Sequence, residues 1–153
     1  MYKFLTLFGI NNRKVAIALA TLFGLAVSVL LGVETLFMFM LLFAIITIFE
    51  GNKACQKAQL ECKDINSDTL VGTFIALNTS LASIQTPSNT LILIATILAF
   101  VSYVGMDIYK PSTIKWLREN VKGALGITLS SLLAGIAGGM LSILVLTLIQ
   151  KYI

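Results

Sequence analysis

The sequence predicts an all-α integral membrane protein: a single domain over residues 1–153, built as a bundle of four to five transmembrane helices. Three observations predict it. First, 58% of the 153 residues are hydrophobic and only 12% are charged. A soluble domain carries about 25% charged residues, so this chain lacks the charge to coat a globule. Second, mean hydropathy is +0.95. Third, the apolar runs are continuous, without the alternation that a lipid-facing strand needs. A soluble enzyme, a disordered segment and a nucleic-acid-binding module are excluded at this step, and no nucleic-acid partner is expected.

Each span follows from an uncharged apolar run. A membrane-crossing helix needs about 20 mostly apolar residues, with a range of about 17–25. Residues 15–33 qualify without a single charge. Glu34 interrupts and predicts a tight turn between antiparallel helices, after which residues 35–49 are again uncharged. Residues 50–68 (EGNKACQKAQLECKDINSD) form the first long polar segment. Residues 70–84 are a third and weaker candidate, short and holding Asn78, Thr79 and Ser80. The expected use of Asn78 is an interhelical hydrogen bond. The stretch QTPSN at 85–89 is turn chemistry. Residues 90–106 are a clear fourth span, residues 107–122 (DIYKPSTIKWLRENVK) a second charged segment, and residues 124–149 a long fifth span.

Cytoplasmic loops collect Lys and Arg. With the N-terminus inside and five spans, the inside set is Lys3, Arg13, Lys14, Lys53, Lys57, Lys63, Lys110, Lys115, Arg118 and Lys122, which leaves only Lys151 outside. The net charge of +4 is thereby explained by orientation and by attraction to anionic inner-leaflet lipid. The same assignment puts Glu50, Glu61, Asp64, Asp68, Asp107 and Glu119 on the cytoplasmic side, so carboxylate chemistry would take place at the inner-leaflet surface. The chain has no histidine, which removes histidine bases, His-zinc sites and Ser-His or Cys-His nucleophile pairs. Cys55 and Cys62 fall in a cytoplasmic segment and are expected as reduced thiols. The N-terminal stretch lacks the order and the cleavage site of a signal peptide.

Three patches could carry chemistry: Asp68 at the mouth of the third span, Asp107 to Pro111 leaving the fourth, and the small-residue stretch from Gly123 to Gly135 opening the fifth. All three lie at cytoplasmic helix ends and can converge if the helices bundle. Each also has a plainer reading. Asp68 suits an N-cap. Asp107 and Lys110 suit an i,i+3 pair, with Lys110-Pro111 as a stop signal and interfacial anchor. The columns Ser131, Gly135, Gly139 and Ser130, Ala134, Gly138, Ser142 suit close helix packing.

The run MDIYKPSTI (residues 106–114), followed by GALGITLSSLLAG (residues 123–135), resembles the C-terminal half of the phosphatidylglycerophosphatase A family. That family shows an Asp, two residues, Lys-Pro and then Ile, followed by Gly-Ile-Met, one residue, Asp-Asp, two residues and Ala-Gly. Asp107, Lys110, Pro111, Ile114, Gly126, Ile127, Ala134 and Gly135 fall in register. INSDTLVG (residues 65–72) is similar to the family's Ile-Val, one residue, Asp-Glu, two residues, Gly, and Glu61 or Asp64 stands where members carry a further acid. The resemblance runs over most of the chain. It implies a bacterial inner-membrane, Mg²⁺-dependent phosphatase that removes the terminal phosphate of the phospholipid phosphatidylglycerophosphate. Asp107 and Lys110 would be its catalytic residues, and Asp68, Asp107 and Glu61 its metal ligands. A homo-oligomer stays open.

This sequence departs from the family at the residues that matter most. The Asp-Glu pair is Asp68-Thr69, the Asp-Asp pair is Ser130-Ser131, the N-terminal Pro- and Gly-rich loop is replaced by a stretch beginning Asn12-Arg13, and the arginine before the later Asp is Val104. Mg²⁺ is usually held by one or two carboxylates plus phosphate and water, and serine hydroxyls cannot balance its charge. Losing one electrostatic donor typically costs about 10²–10³ in rate. The expectation is a family member with turnover weakened or lost. The alternatives are a working phosphatase with a reassembled metal site, and a non-catalytic lipid-head-group binder or small transport or assembly subunit.

Overall fold

The computed structural model describes residues 12–56, 67–85 and 88–152; Glu61, Asp64, Cys62 and the Cys55 side chain fall outside that description. The described chain forms helices α1 (Arg13–Leu31), α2 (Val33–Gln56), α3 (Asp68–Ala82), α4 (Asn89–Tyr109), α5 (Ser112–Asn120) and α6 (Ala124–Tyr152). The helices α1, α2, α4 and α6 are long and apolar enough to cross a membrane. The third candidate, α3, has 15 residues and rises only about 22 Å, short of the roughly 30 Å hydrocarbon core.

Local chemistry sets the helix ends. The Asn12 side chain caps α1, its Oδ1 accepting from the Lys14 amide at 3.1 Å. The turn into α2 falls at Gly32 rather than at Glu34. Gly32 adopts φ 92°, a left-handed geometry that costs glycine nothing, and Glu34 sits in the first turn of α2, where a negative charge suits the helix dipole. The Ser88 hydroxyl caps α4 by accepting from the Leu91 amide at 3.2 Å. At its other end α4 stops at Lys110, whose φ of 44° is left-handed, and Pro111 cannot continue the helix. The N-terminus of α6 is capped from another helix: Asn52 on α2 accepts from the Ala124 amide at 2.9 Å.

Successive long helices run antiparallel, so Arg13, Asp68, Asp107 and the start of α6 share one end of the bundle. The opposite end is tied by Asn78, whose amide donates to the Val33 carbonyl at 3.1 Å, the interhelical bond expected of it. At the centre stands α3, packed against α1, α2, α4 and α6. Its Thr69, Val71, Phe74, Ala76, Leu77 and Ser80 are fully enclosed. A helix walled in by protein needs no lipid-compatible face, which is why α3 carries the polar residues that made it a weak span in sequence. The outer helices turn Leu22, Leu30, Met38, Ile97 and Leu144 outward.

Lipid tails are as apolar as leucine, so close backbone packing rather than hydrophobic burial holds such helices together. The two small-residue columns of α6 serve two neighbours. Gly135 and Gly139 face Gly72 and Thr79 on α3, while Gly138 meets the Tyr103 backbone on α4. At Gly72 the α3 backbone lies directly against the Tyr103 ring, and a Cβ there would overlap it. A Cβ at Gly135 would overlap the Gly72 carbonyl. Gly135→Ala is therefore expected to push α3 and α6 apart and to cost about 1–3 kcal/mol. Gly105→Ala, where an added methyl meets no atom within 4 Å, should be neutral or slightly stabilising. Thermal unfolding of both variants in one detergent checks the contrast.

Candidate functional site: an arginine clamped between two aspartates

The site is built from four helices. Asp68 opens α3, with Ser67 at the cap position; the Ser67 hydroxyl accepts from Thr47 at 3.1 Å. As the first helical residue, Asp68 has its charge at the favourable end of the α3 dipole. Asp107 sits in the last turn of α4, at the unfavourable end, and needs another source of compensation. Arg13 supplies it from the first position of α1, which the Asn12 cap fixes.

The guanidinium reaches all four carboxylate oxygens. Its Nε donates to Asp107 Oδ2 at 2.7 Å and its Nη2 to Asp107 Oδ1 at 3.0 Å. Its Nη1 donates to Asp68 Oδ1 at 3.2 Å and its Nη2 to Asp68 Oδ2 at 2.8 Å. Such forked charge-assisted bonds are the strongest class available to a protein. Ser131 on α6 completes the cluster, donating its hydroxyl to Asp68 Oδ2 and lying 3.4 Å from Arg13 Nη2. Asp68 and Asp107 are buried at 0% and 6% exposure. The two carboxylates and one guanidinium leave the cluster with one formal negative charge. The Tyr103 hydroxyl lies beside it, close to Ser131 and within electrostatic reach of Asp68, Asp107 and Arg13. It is buried but outside hydrogen-bonding geometry with any described group.

The other residues singled out from sequence occupy different positions. Thr69 and Ser130 are buried, and Ser130 donates back to the Ile127 carbonyl at 2.7 Å. Lys110 is half-buried at the α4 stop and makes no ion pair among the described residues; the i,i+3 pair with Asp107 does not form, because Arg13 holds both Asp107 oxygens. Partial burial, and then the Arg118 cation, lowers the Lys110 pKa from the ordinary lysine value. Glu61 lies outside the described residues. In sequence, Arg13 reads only as an orientation signal and as a departure in the N-terminal loop. The signal that could have found its role is an arginine opening an apolar span on the side where two span-end acids lack a partner. Tyr103 was also missed, although it lies one helical turn before Asp107 on the same face.

Mg²⁺ requires octahedral oxygen ligands. No group of three or more Asp, Glu, Cys or His side chains gathers at one point among the described residues, and the four oxygens of the two buried aspartates already accept from Arg13. The described donors do not fit the ion as they stand.

A family model described as phosphatidylglycerophosphatase A matches residues 3–146. No curated protein and no solved structure matches the chain. Removing one partner of a buried ion pair typically costs about 3–5 kcal/mol. Arg13→Ala should reach that range, since it leaves two buried carboxylates uncompensated. Asp68→Asn should cost clearly less, because Arg13 keeps Asp107 and the cluster becomes neutral. Unfolding of the variants in detergent, with chelator present, tests the ranking.

Proposed function

The chain belongs to the phosphatidylglycerophosphatase A family, and on that premise we propose that it is a bacterial inner-membrane protein of phosphatidylglycerol metabolism that binds phosphate-monoester lipid head groups and whose hydrolytic turnover is weakened or lost. The observation that carries this reading is the engagement of Asp68 and Asp107, the two acids in register with the family's motifs, by Arg13. Hydrolysis of a phosphate monoester needs a positioned water, a proton for the leaving oxygen, and neutralisation of charge on the phosphoryl oxygens. A carboxylate whose lone pairs are held by a guanidinium is a poor base and a poor ligand. With Thr69, Ser130 and Ser131 in place of family acids, no further described carboxylate joins Asp68 and Asp107 at the cluster.

The cationic surface around the site supports head-group binding. Lys110 is unpaired among the described acids, and Lys115, Arg118 and Lys122 follow it on and just after α5. Trp116 is exposed on α5, and an aromatic ring of this kind suits the membrane–water boundary. Of the described basic residues, Arg13, Lys14, Lys53, Lys110, Lys115, Arg118 and Lys122 gather at this end and only Lys151 at the other. That asymmetry supports a cytoplasmic orientation of the site.

Purified protein assayed on phosphatidylglycerophosphate with Mg²⁺ is expected to release no more phosphate than a detergent blank, and Asp107→Asn should change nothing. Phosphate release that depends on Asp107 would overturn the loss of activity. Binding to nanodiscs containing phosphatidylglycerophosphate, against phosphatidylcholine discs, should be saturable and weakened about fivefold by Lys110→Ala, the loss of roughly 1 kcal/mol per interfacial cation. Because the Lys110 pKa is lowered, its cation is lost at a lower pH than that of an ordinary lysine. Binding should therefore fade as pH rises through that lowered value, and the Lys110→Ala variant should lack this step.

A further inference from the structure

We propose that Arg13 is the resident cation of the Asp68–Asp107 pocket, a tethered replacement for a divalent ion, and that the pocket accepts such an ion only when Arg13 is removed. The inference rests on the reading above only in treating Asp68 and Asp107 as the family-register acids.

Two buried carboxylates facing one another require positive charge between them; otherwise one must take up a proton. Arg13 stands in that place and contacts each of their four oxygens. Its partners lie 55 and 94 residues away in sequence, so the contact belongs to the folded bundle and not to a local turn. A guanidinium does not deprotonate in proteins, and its planar fork spans two carboxylates where a lysine ammonium, a compact point charge, could not. Held on α1 by the Asn12 cap, this cation cannot diffuse away, and its high effective concentration disfavours any dissolved competitor.

The second observation is the Tyr103 hydroxyl. It is buried against the cluster without a hydrogen-bond partner among the described residues. Together with Ser131 Oγ and the aspartate oxygens, it makes an oxygen-lined wall richer than one guanidinium uses. The charge count agrees. Arg13 offsets one of two negative charges, whereas a divalent ion would offset both. Taking Arg13 away leaves two carboxylates, a serine hydroxyl and a tyrosine hydroxyl around one vacated volume. That is an all-oxygen donor set of the kind hard divalent cations take.

The test is the thermal unfolding of the full chain in detergent, with Mn²⁺ or with chelator. The wild-type midpoint is expected to be the same in both. Arg13→Ala should unfold lower in chelator and recover saturably with Mn²⁺, and the recovery should disappear in Arg13→Ala/Asp107→Asn. A folded Arg13→Ala whose midpoint ignores Mn²⁺ overturns the proposal. Should Arg13→Ala not fold in chelator, Arg13→Gln purified in Mn²⁺ carries the same comparison. Wild type also gives an independent reading by electron paramagnetic resonance. The signal of free Mn²⁺ should stay undiminished on adding protein, and uptake of one ion per chain that Asp107→Asn abolishes overturns the proposal. Turnover is not a readout here. Hydrolysis that proceeds in chelator would sink only the loss of activity proposed above, and metal uptake by wild type only the role of Arg13.

Discussion

Charge compensation in a low-dielectric interior governs this bundle. Two carboxylates from helices far apart in sequence are drawn out of water at one end of it. Each would be costly there alone, and together they would repel. Arg13 makes the arrangement tenable because its planar donors match both carboxylates at once. The same interaction joins α1 to α3 and α4, and Ser131 extends it to α6. Four helices are thus registered against one another by a single polar knot, in addition to the close glycine packing of α3 against α4 and α6.

The knot depends on how closely the helices approach. Asp68 and Gly72 lie one turn apart on α3, Tyr103 and Asp107 one turn apart on α4, and Ser131 and Gly135 one turn apart on α6. In each helix the polar residue and its packing neighbour share a face. Gly72 meets Gly135 on one side and the Tyr103 ring on the other, which brings the three backbones near enough for short side chains to meet one turn away. A small-residue column that reads in sequence as packing alone therefore also sets the geometry of the acids. In Ser131 one residue belongs to both the column and the cluster.

Much of the architecture was legible because lipid-facing helices advertise themselves. Uncharged runs marked α1, α2, α4 and α6, and the polar segments between them placed Asp68, Asp107 and the start of α6 at one end. The indistinct signal of α3 has a physical cause. Protein encloses it, so Thr69, Thr73, Asn78 and Ser80 lower its hydropathy without exposing polar groups to lipid. The turn at Gly32 was displaced onto Glu34 because a lone charge is more conspicuous in an apolar run than a glycine with positive φ. Arg13 stayed hidden for a different reason. A basic residue at a span end satisfies the positive-inside pattern by itself, and nothing adjacent to it in sequence reveals partners 55 and 94 positions away. Lys110, conspicuous in a family motif, turned out to be excluded from Asp107 by that same arginine.

The enclosure of α3 bears on how the protein comes to be made. A segment of 15 residues with three threonines, a serine and an asparagine around its circumference is a poor lodger in bare lipid. The wall that shields much of it, α6, follows it in the chain and so leaves the ribosome later. During synthesis α3 must therefore wait, at the translocation machinery or at the bilayer surface, until its final neighbour arrives. Biogenesis then proceeds from the periphery inward, and a nascent chain cut short before α6 would expose the polar side chains of α3 to lipid and to quality-control proteases.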